Sequence, residues 1–156
     1  MQGFGYPLKS VVSDLLAIKR LQFFLLLCLI SFLLLIIAMM MSLTIIVALI
    51  YDEDWEAMVI SAIVTALAGL SLRRFGKDAS KEVRKRDGFL IVATGWISMS
   101  LFGALPYVIH GAIPGFTDAF FETVSGFTTT GATILQDIEA IPKSLLFWRS
   151  MTHWIG

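Results

Sequence analysis

Apolar positions run along this chain in long unbroken blocks, without the short alternations of a half-buried strand. The first block, Leu21 to Tyr51, is 31 residues without a formal charge, well beyond the roughly 20 that cross a hydrocarbon core of about 30 Å. It predicts a retained transmembrane helix, tilted or overhanging. It also exceeds the apolar region of a signal peptide, roughly 7 to 15 residues, and has no small-residue cleavage site beside it. A second block, Ala57 to Leu72, has 16 uncharged residues; snorkelling of Arg73 and Arg74 completes it as a span. The third, Gly88 to Thr117, has 30, and its apolar part, Phe89 to Ile109, suffices for another span before Pro114 and Gly115 break the chain. Ahead of the first block, Leu8, Val11, Val12, Leu15 and Leu16 recur at helical spacing opposite Lys9, Ser10, Ser13 and Asp14. Residues 1–20 therefore predict an amphipathic helix along the inner membrane interface.

The pattern then changes. "TDAFFETVSGF" starts with Thr117 as a candidate N-cap, keeps an apolar face through Phe120, Phe121 and Val124, and meets Gly126 as a helix end. About ten residues give a helix roughly 15 Å long, half a bilayer. Behind it, "TTTGAT" is small and polar, and "ILQDIEAIPKS" carries Asp137, Glu139, Pro142 and Lys143 and belongs in water. A half-length helix that starts outside has to turn back, so residues 117–143 predict a re-entrant loop. Non-helical backbone at membrane depth survives only buried in protein or lining a water-filled cavity. Thr128, Thr129, Thr130 and Gly131 suit the cavity, where small side chains let backbone carbonyls replace an ion's hydration shell. The C-terminal end of the short helix, near Ser125 and Gly126, favours a cation there. A packed turn between two short helices is the competing reading of residues 126–134.

Composition sharpens the class: the 156 residues are 57% hydrophobic and only 15% charged, against about 25% charged in soluble domains. An all-α integral membrane protein follows. Net charge is zero but segregated. Lys9, Lys19 and Arg20 precede the first span, Asp52, Glu53, Asp54 and Glu56 follow it, and residues 73–87 hold seven basic residues in fifteen. The positive-inside rule puts the N-terminus and 73–87 in the cytoplasm and 52–56 outside. Cys28 reads as packing, and Trp96 and Tyr107 as interfacial anchors, with His110 at headgroup level. Asp118 and Glu122, four apart on the short helix, read as capping and solvated groups able to attract cations to the outer mouth. Arg149 close to the membrane calls for a partner, a carbonyl or a carboxylate from another repeat. Ser150 and His153 stand three apart but have no acid to orient the histidine, so no hydrolase and no enzyme is read here. No phosphate loop, metal-ligand cluster or nucleic-acid signature occurs, and no cofactor is expected.

"RDGFLIV", "GALPY", "TDAFFETVSGFTTTGAT", "IPKSLLFWRSM" and "HWIG" follow the order and spacing of the first pore repeat of the Trk/Ktr/HKT potassium transporter superfamily, whose bacterial TrkH/TrkG-type membrane subunits the chain resembles most. The resemblance is specific over about residues 86–156. It implies four membrane–pore–membrane units around one pathway. Gly131 would be the filter glycine of the first unit, with Thr128, Thr129, Thr130 and Gly131 offering carbonyls to potassium. It also implies a cytoplasmic nucleotide-binding regulatory partner, homodimers of the membrane subunit, and a multi-pass location in the bacterial inner membrane.

The expected organisation is an N-terminal helix pair over 21–87, with a basic cytoplasmic loop, and one pore repeat over 88–156. That repeat comprises a membrane helix at 89–109, a pore helix at 117–126, a filter at 128–133 and the start of a second membrane helix at 144–156. One filter segment stands where the family has four, and the 13 residues from Ser144 to Gly156 are short for the returning span. The expectation is thus an N-terminal portion of a potassium transporter that does not conduct alone. The alternative is a non-conducting truncated membrane protein that associates with a full-length subunit.

The charge segregation predicts that a membrane-impermeant thiol reagent labels Asp54→Cys from outside intact cells and spares Lys81→Cys. Labelling of Lys81→Cys alone would invert the topology.

Overall fold

Without water to satisfy them, backbone amides and carbonyls in an apolar medium pair within helices, and the apolar blocks of this chain do so. The computed structural model describes the backbone of residues 8–75 and 85–156, and the side chains of residues 24–75 and 88–156. Six helices lie among the described residues: α1 (Leu8–Ile50), α2 (Glu56–Phe75), α3 (Lys85–Gly103), α4 (Leu105–His110), α5 (Phe116–Phe127) and α6 (Lys143–Ile155). Three stretches are long and apolar enough to cross a membrane: Phe24–Ile50, Glu56–Phe75 and Gly88–His110. The amphipathic stretch from Leu8 is helical and continuous with α1; its side chains lie outside the described residues, as does the basic loop over 76–84.

Helices α1 and α2 form an antiparallel hairpin closed by the 51–55 turn, where Asp52 takes a left-handed backbone with φ 55°. Small residues bring the two together. A Cβ on Gly69 would lie 3.1 Å from the Leu35 side chain and 3.2 Å from the Ser31 carbonyl. Buried Ser61 and Thr65 return their hydroxyls to the carbonyls of Ala57 and Ser61, one turn back, so neither leaves an unpaired donor. One face of α1 is buried through Leu34, Ile37, Ala38 and Met41, while Phe32, Met39, Leu43 and Ile46 are exposed. An apolar face of that length left outward is a surface for lipid or for further protein to cover. Cys28 belongs to it, exposed and not packed as the sequence suggested.

The third span is interrupted at Ala104, because Pro106 has no N–H to give and its ring crowds the preceding turn. It ends at Gly111, left-handed at φ 81°, whose amide closes on the carbonyls of Tyr107 and Val108. Tyr107 is 1% exposed and joins the core with Met58, Met99, Ile113, Leu145 and Trp148, so it is no interfacial anchor. Trp96 packs against the same cluster.

Helix α5 lies between α3 and α6, and glycines set its separation from both. A Cβ on Gly103 would come within 2.6 Å of Thr123 and 3.0 Å of Phe127. One on Gly126 would run into the Thr152 hydroxyl and lie 2.9 Å from its Cβ. The Gly103 carbonyl, orphaned at the end of α3, accepts a 3.0 Å bond from the buried Trp148 indole. Gly126, the penultimate residue of α5, is thus needed for close packing, and the helix runs one residue past the end expected of it.

The start of α6 depends on the N-terminal pair. Pro142 precedes the helix and supplies no side-chain cap. Glu53, ninety residues away in the 51–55 turn, accepts the Lys143 amide at 2.8 Å and the Ser144 amide at 2.9 Å. The Lys143 ammonium sits 4.2 Å from the centre of the Tyr51 ring, within cation–π range. Partial burial raises the Glu53 carboxyl pKa, but the hydrogen bonds from Ser144 and Lys143 outweigh it and hold the group below its ordinary 4.5. A carboxyl depressed in the folded state adds stability above its unfolded value and loses it as pH falls through the folded one.

Two outcomes follow from these contacts. Glu53→Ala should lower thermal stability in detergent by on the order of 1 kcal/mol at pH 7, with the difference from parent shrinking as pH drops below about 4; an equal difference at pH 3 and pH 7 would contradict the cap. Gly126→Ala should cost about 1–3 kcal/mol through overpacking, whereas Gly88→Ala, with nothing within 4 Å of the added Cβ, should be neutral or stabilising by up to about 1 kcal/mol. Equal melting temperatures for the two variants would refute the close approach of α5 and α6.

Candidate functional site

Residues 128–142 carry no regular helix. This stretch leaves α5, turns, and returns to the end of the molecule where it began: Glu139, Ile141 and Lys143 share a pocket with Asp52, Glu53, Asp54 and His110. His110 lies in that polar rim, with its Nδ1 buried and unpaired among the described residues. At the far end of the excursion the backbone of Phe127 meets Gly156, the C-terminal cap of α6. Helices α5 and α6 therefore both run away from the 51–55 turn, and the chain between them climbs back.

Sequence reasoning expected Thr117 to cap α5. Instead Gly115 takes the cap position, two residues earlier, and the helix opens at Phe116; Asp118 is exposed in its first turn, where an anion complements the helix dipole.

Its C-terminus closes in a Schellman arrangement. The Thr129 amide donates to the Gly126 carbonyl at 2.9 Å and the Thr130 amide to the Ser125 carbonyl at 3.0 Å. The closing left-handed residue is Thr129, φ 54°. A β-branched residue is a real outlier in that region, and such strain costs about 1–3 kcal/mol and tends to gather at functional segments. Two residues on, Gly131 is left-handed as well, φ 78°, with nothing within 4 Å of an added Cβ. Its requirement for glycine is conformational, not a matter of space.

The return limb is tied back to the same helix. The Ser125 hydroxyl donates to the Ala132 carbonyl at 2.6 Å. The Thr133 hydroxyl reaches both Glu122 oxygens at 3.0 Å, and the Ile134 amide reaches Oε2 at 3.1 Å. The four residues Thr128, Thr129, Thr130 and Gly131 thus form a bow with both ends fixed on α5. All four are exposed, and among the described residues none of their carbonyls accepts a hydrogen bond. The Thr128 hydroxyl is satisfied by the Val124 carbonyl and the Thr130 hydroxyl, both at 2.8 Å. Left open along the bow, among the described residues, are all four carbonyl oxygens, together with the Gly131 amide and the Thr129 hydroxyl; a run of open carbonyls suits a cation.

Glu122 corrects the sequence reading most. It is 1% exposed, not a solvated group at the mouth, and its Oε1 accepts the Arg149 Nε at 2.6 Å. The partner that Arg149 needed lies within this segment, one helix away, and not in another repeat. A signal was present: Ala119, Thr123 and Gly126 mark the face of α5 made of small residues for close packing, and Glu122 lies on it. Ser150 and His153 form no catalytic pair. The Ser150 hydroxyl donates to the Leu146 carbonyl and the His153 Nδ1 pairs with the Arg149 carbonyl. No group of three metal-ligating side chains lies among the described residues.

This architecture has relatives of known kind. The chain is 40% identical over 114 residues to the Trk system potassium uptake protein TrkH of Halomonas elongata, covering 72% of this chain and 24% of that protein. Its identity to the protein of the same name from Escherichia coli is also 40% over 114 residues, covering 71% and 23%. The chain spans about a quarter of the length of these curated relatives. It superposes on the crystal structure of the potassium transporter TrkH from Vibrio parahaemolyticus with a TM-score of 0.80 at 33% identity, covering 86% of this chain and 29% of that one. These relatives are transporters, not enzymes. Residues 54–156, which hold the second and third spans, the bow and α6, match the model of the TrkH family, described as cation transport proteins; with helices and sequence in agreement, the chain belongs to that family.

Proposed function

We propose that this segment is the first pore repeat of a Trk-type potassium uptake subunit in the bacterial inner membrane. Residues 117–143 are its re-entrant loop, and Thr128, Thr129, Thr130 and Gly131 are its share of the selectivity filter. The observation that carries this reading is the bow: four consecutive residues with unclaimed carbonyls, fixed at both ends to the C-terminal end of a short helix. Carbonyls already held in place lose little entropy when they replace water around an ion. The partly negative C-terminal end of α5 adds a favourable field for a cation. The potassium uptake named for the relatives supports potassium as the ion. One loop supplies one side of a coordination shell, so conduction belongs to the complete four-repeat pathway, in a multi-pass subunit. Its partners in this reading are a second copy of the subunit and a cytoplasmic nucleotide-binding regulatory protein.

The test compares Gly131→Ser with Thr133→Ser in the full-length transporter, with potassium and sodium uptake measured side by side. Gly131→Ser forces a side chain into a left-handed position, costing about 1–2 kcal/mol there, and should reduce the potassium preference by about tenfold, the equivalent of 1.4 kcal/mol. Thr133→Ser keeps the hydroxyl that Glu122 accepts and should behave as parent. Unchanged ion preference in Gly131→Ser at equal expression would remove the filter assignment and leave a packed turn.

A further inference from the structure

The Glu122 carboxylate makes four contacts, and their distribution identifies its task. One goes to Arg149 on α6. Three go to the return limb: both oxygens to the Thr133 hydroxyl, and Oε2 to the Ile134 amide. A clip between two helices would need only the contact to Arg149. The Thr133 hydroxyl oxygen in turn accepts the Leu135 amide at 3.1 Å, so one carboxylate organises three successive residues. They begin two positions beyond Gly131. Between that stretch and Gly131, the Ser125 hydroxyl donates to the Ala132 carbonyl, the other tie of the limb to α5 among the described residues.

We propose that Glu122 is a specificity-determining positioning residue: it fixes the far end of the Thr128–Gly131 bow and so sets the spacing of the carbonyls that meet the ion. Arg149 holds the carboxylate in place and neutralises it. The ion then meets carbonyl dipoles and not a fixed negative charge, and the number and field of those dipoles set potassium against sodium. Thr133 is the link between Glu122 and the bow. The inference rests on the filter reading above.

The full-length transporter, reconstituted in lipid vesicles, provides the test through KM and maximal rate for potassium and sodium. Glu122→Gln and Thr133→Val should each reduce the potassium-over-sodium KM preference by about tenfold while the maximal potassium rate stays within about twofold. The double variant should be no worse than either single one, since both break one linkage. Thr133→Ser should restore the parental ratio. A parental ratio in Glu122→Gln, or losses that multiply in the double variant, would overturn the proposal. Gly131→Ser in the same assay separates the two readings. If it loses discrimination while Glu122→Gln and Thr133→Val do not, the filter stands and the positioning role falls; if it too is parental, the filter reading falls first. Should Glu122→Gln fail to accumulate, hydrogen–deuterium exchange on the full-length transporter in detergent decides with Thr133→Val: faster exchange at the Ile134 and Leu135 amides with α5 still protected supports the proposal, and unchanged exchange refutes it.

Discussion

A buried carboxylate at the junction of three elements is the constraint on which the C-terminal half of this structure depends. Glu122 at 1% exposure is tolerable in apolar surroundings only because its oxygens are paired, and removing one partner of such an ion pair typically costs about 3–5 kcal/mol. Its partners come from α6 and from the chain between α5 and α6. Satisfying that single group therefore dictates where Arg149 lies, how α5 and α6 are paired, and where the return limb runs. Gly103 and Gly126 make the geometry possible by letting α5 approach both neighbours without intervening side chains.

The N-terminal hairpin is bound into the same arrangement from the other end. Helix α6 begins after a proline that caps nothing, and its first free amides are taken by Glu53 in the turn between α1 and α2. One carboxylate thus holds the start of α6 while another, Glu122, holds its middle. The hairpin contributes more than membrane anchorage: it sets the position of the helix that carries Arg149.

Strain and openness coincide along the bow. Thr129 adopts a backbone that β-branched residues avoid, and Gly131 repeats that handedness where glycine alone is unstrained. The hydrogen bonds at both ends over-determine the segment, which is how a strained backbone persists. The same bonds use the amides of Thr128, Thr129 and Thr130 and leave the carbonyls of 128–131 unclaimed among the described residues. Three of the four amides are spent and all four carbonyls are free, so acceptors outnumber donors along the segment.

The linear pattern was enough for the three apolar spans, the half-length helix and the small polar stretch after it, because each rests on local composition and short-range periodicity. Even the family resemblance lives in such local strings. Pairings across space were not legible. Glu122 and Arg149, 27 positions apart, each looked like a charge in search of water or of an absent repeat, and became partners only when α5 and α6 packed. Glu53 gave no sign that it would cap a helix ninety residues on. Gly126 looked like a helix stop because glycine often is one; the helix runs one residue further, to Phe127, the left-handed closing position falls to Thr129, and the nearness of Thr152, invisible in one dimension, makes Gly126 a packing residue. The sequence by itself determined which segments leave water and which kinds of backbone they carry, since those depend on each residue and its neighbours. Only the tertiary structure decided which buried charges meet, because burial makes an ion pair obligatory without naming its partner.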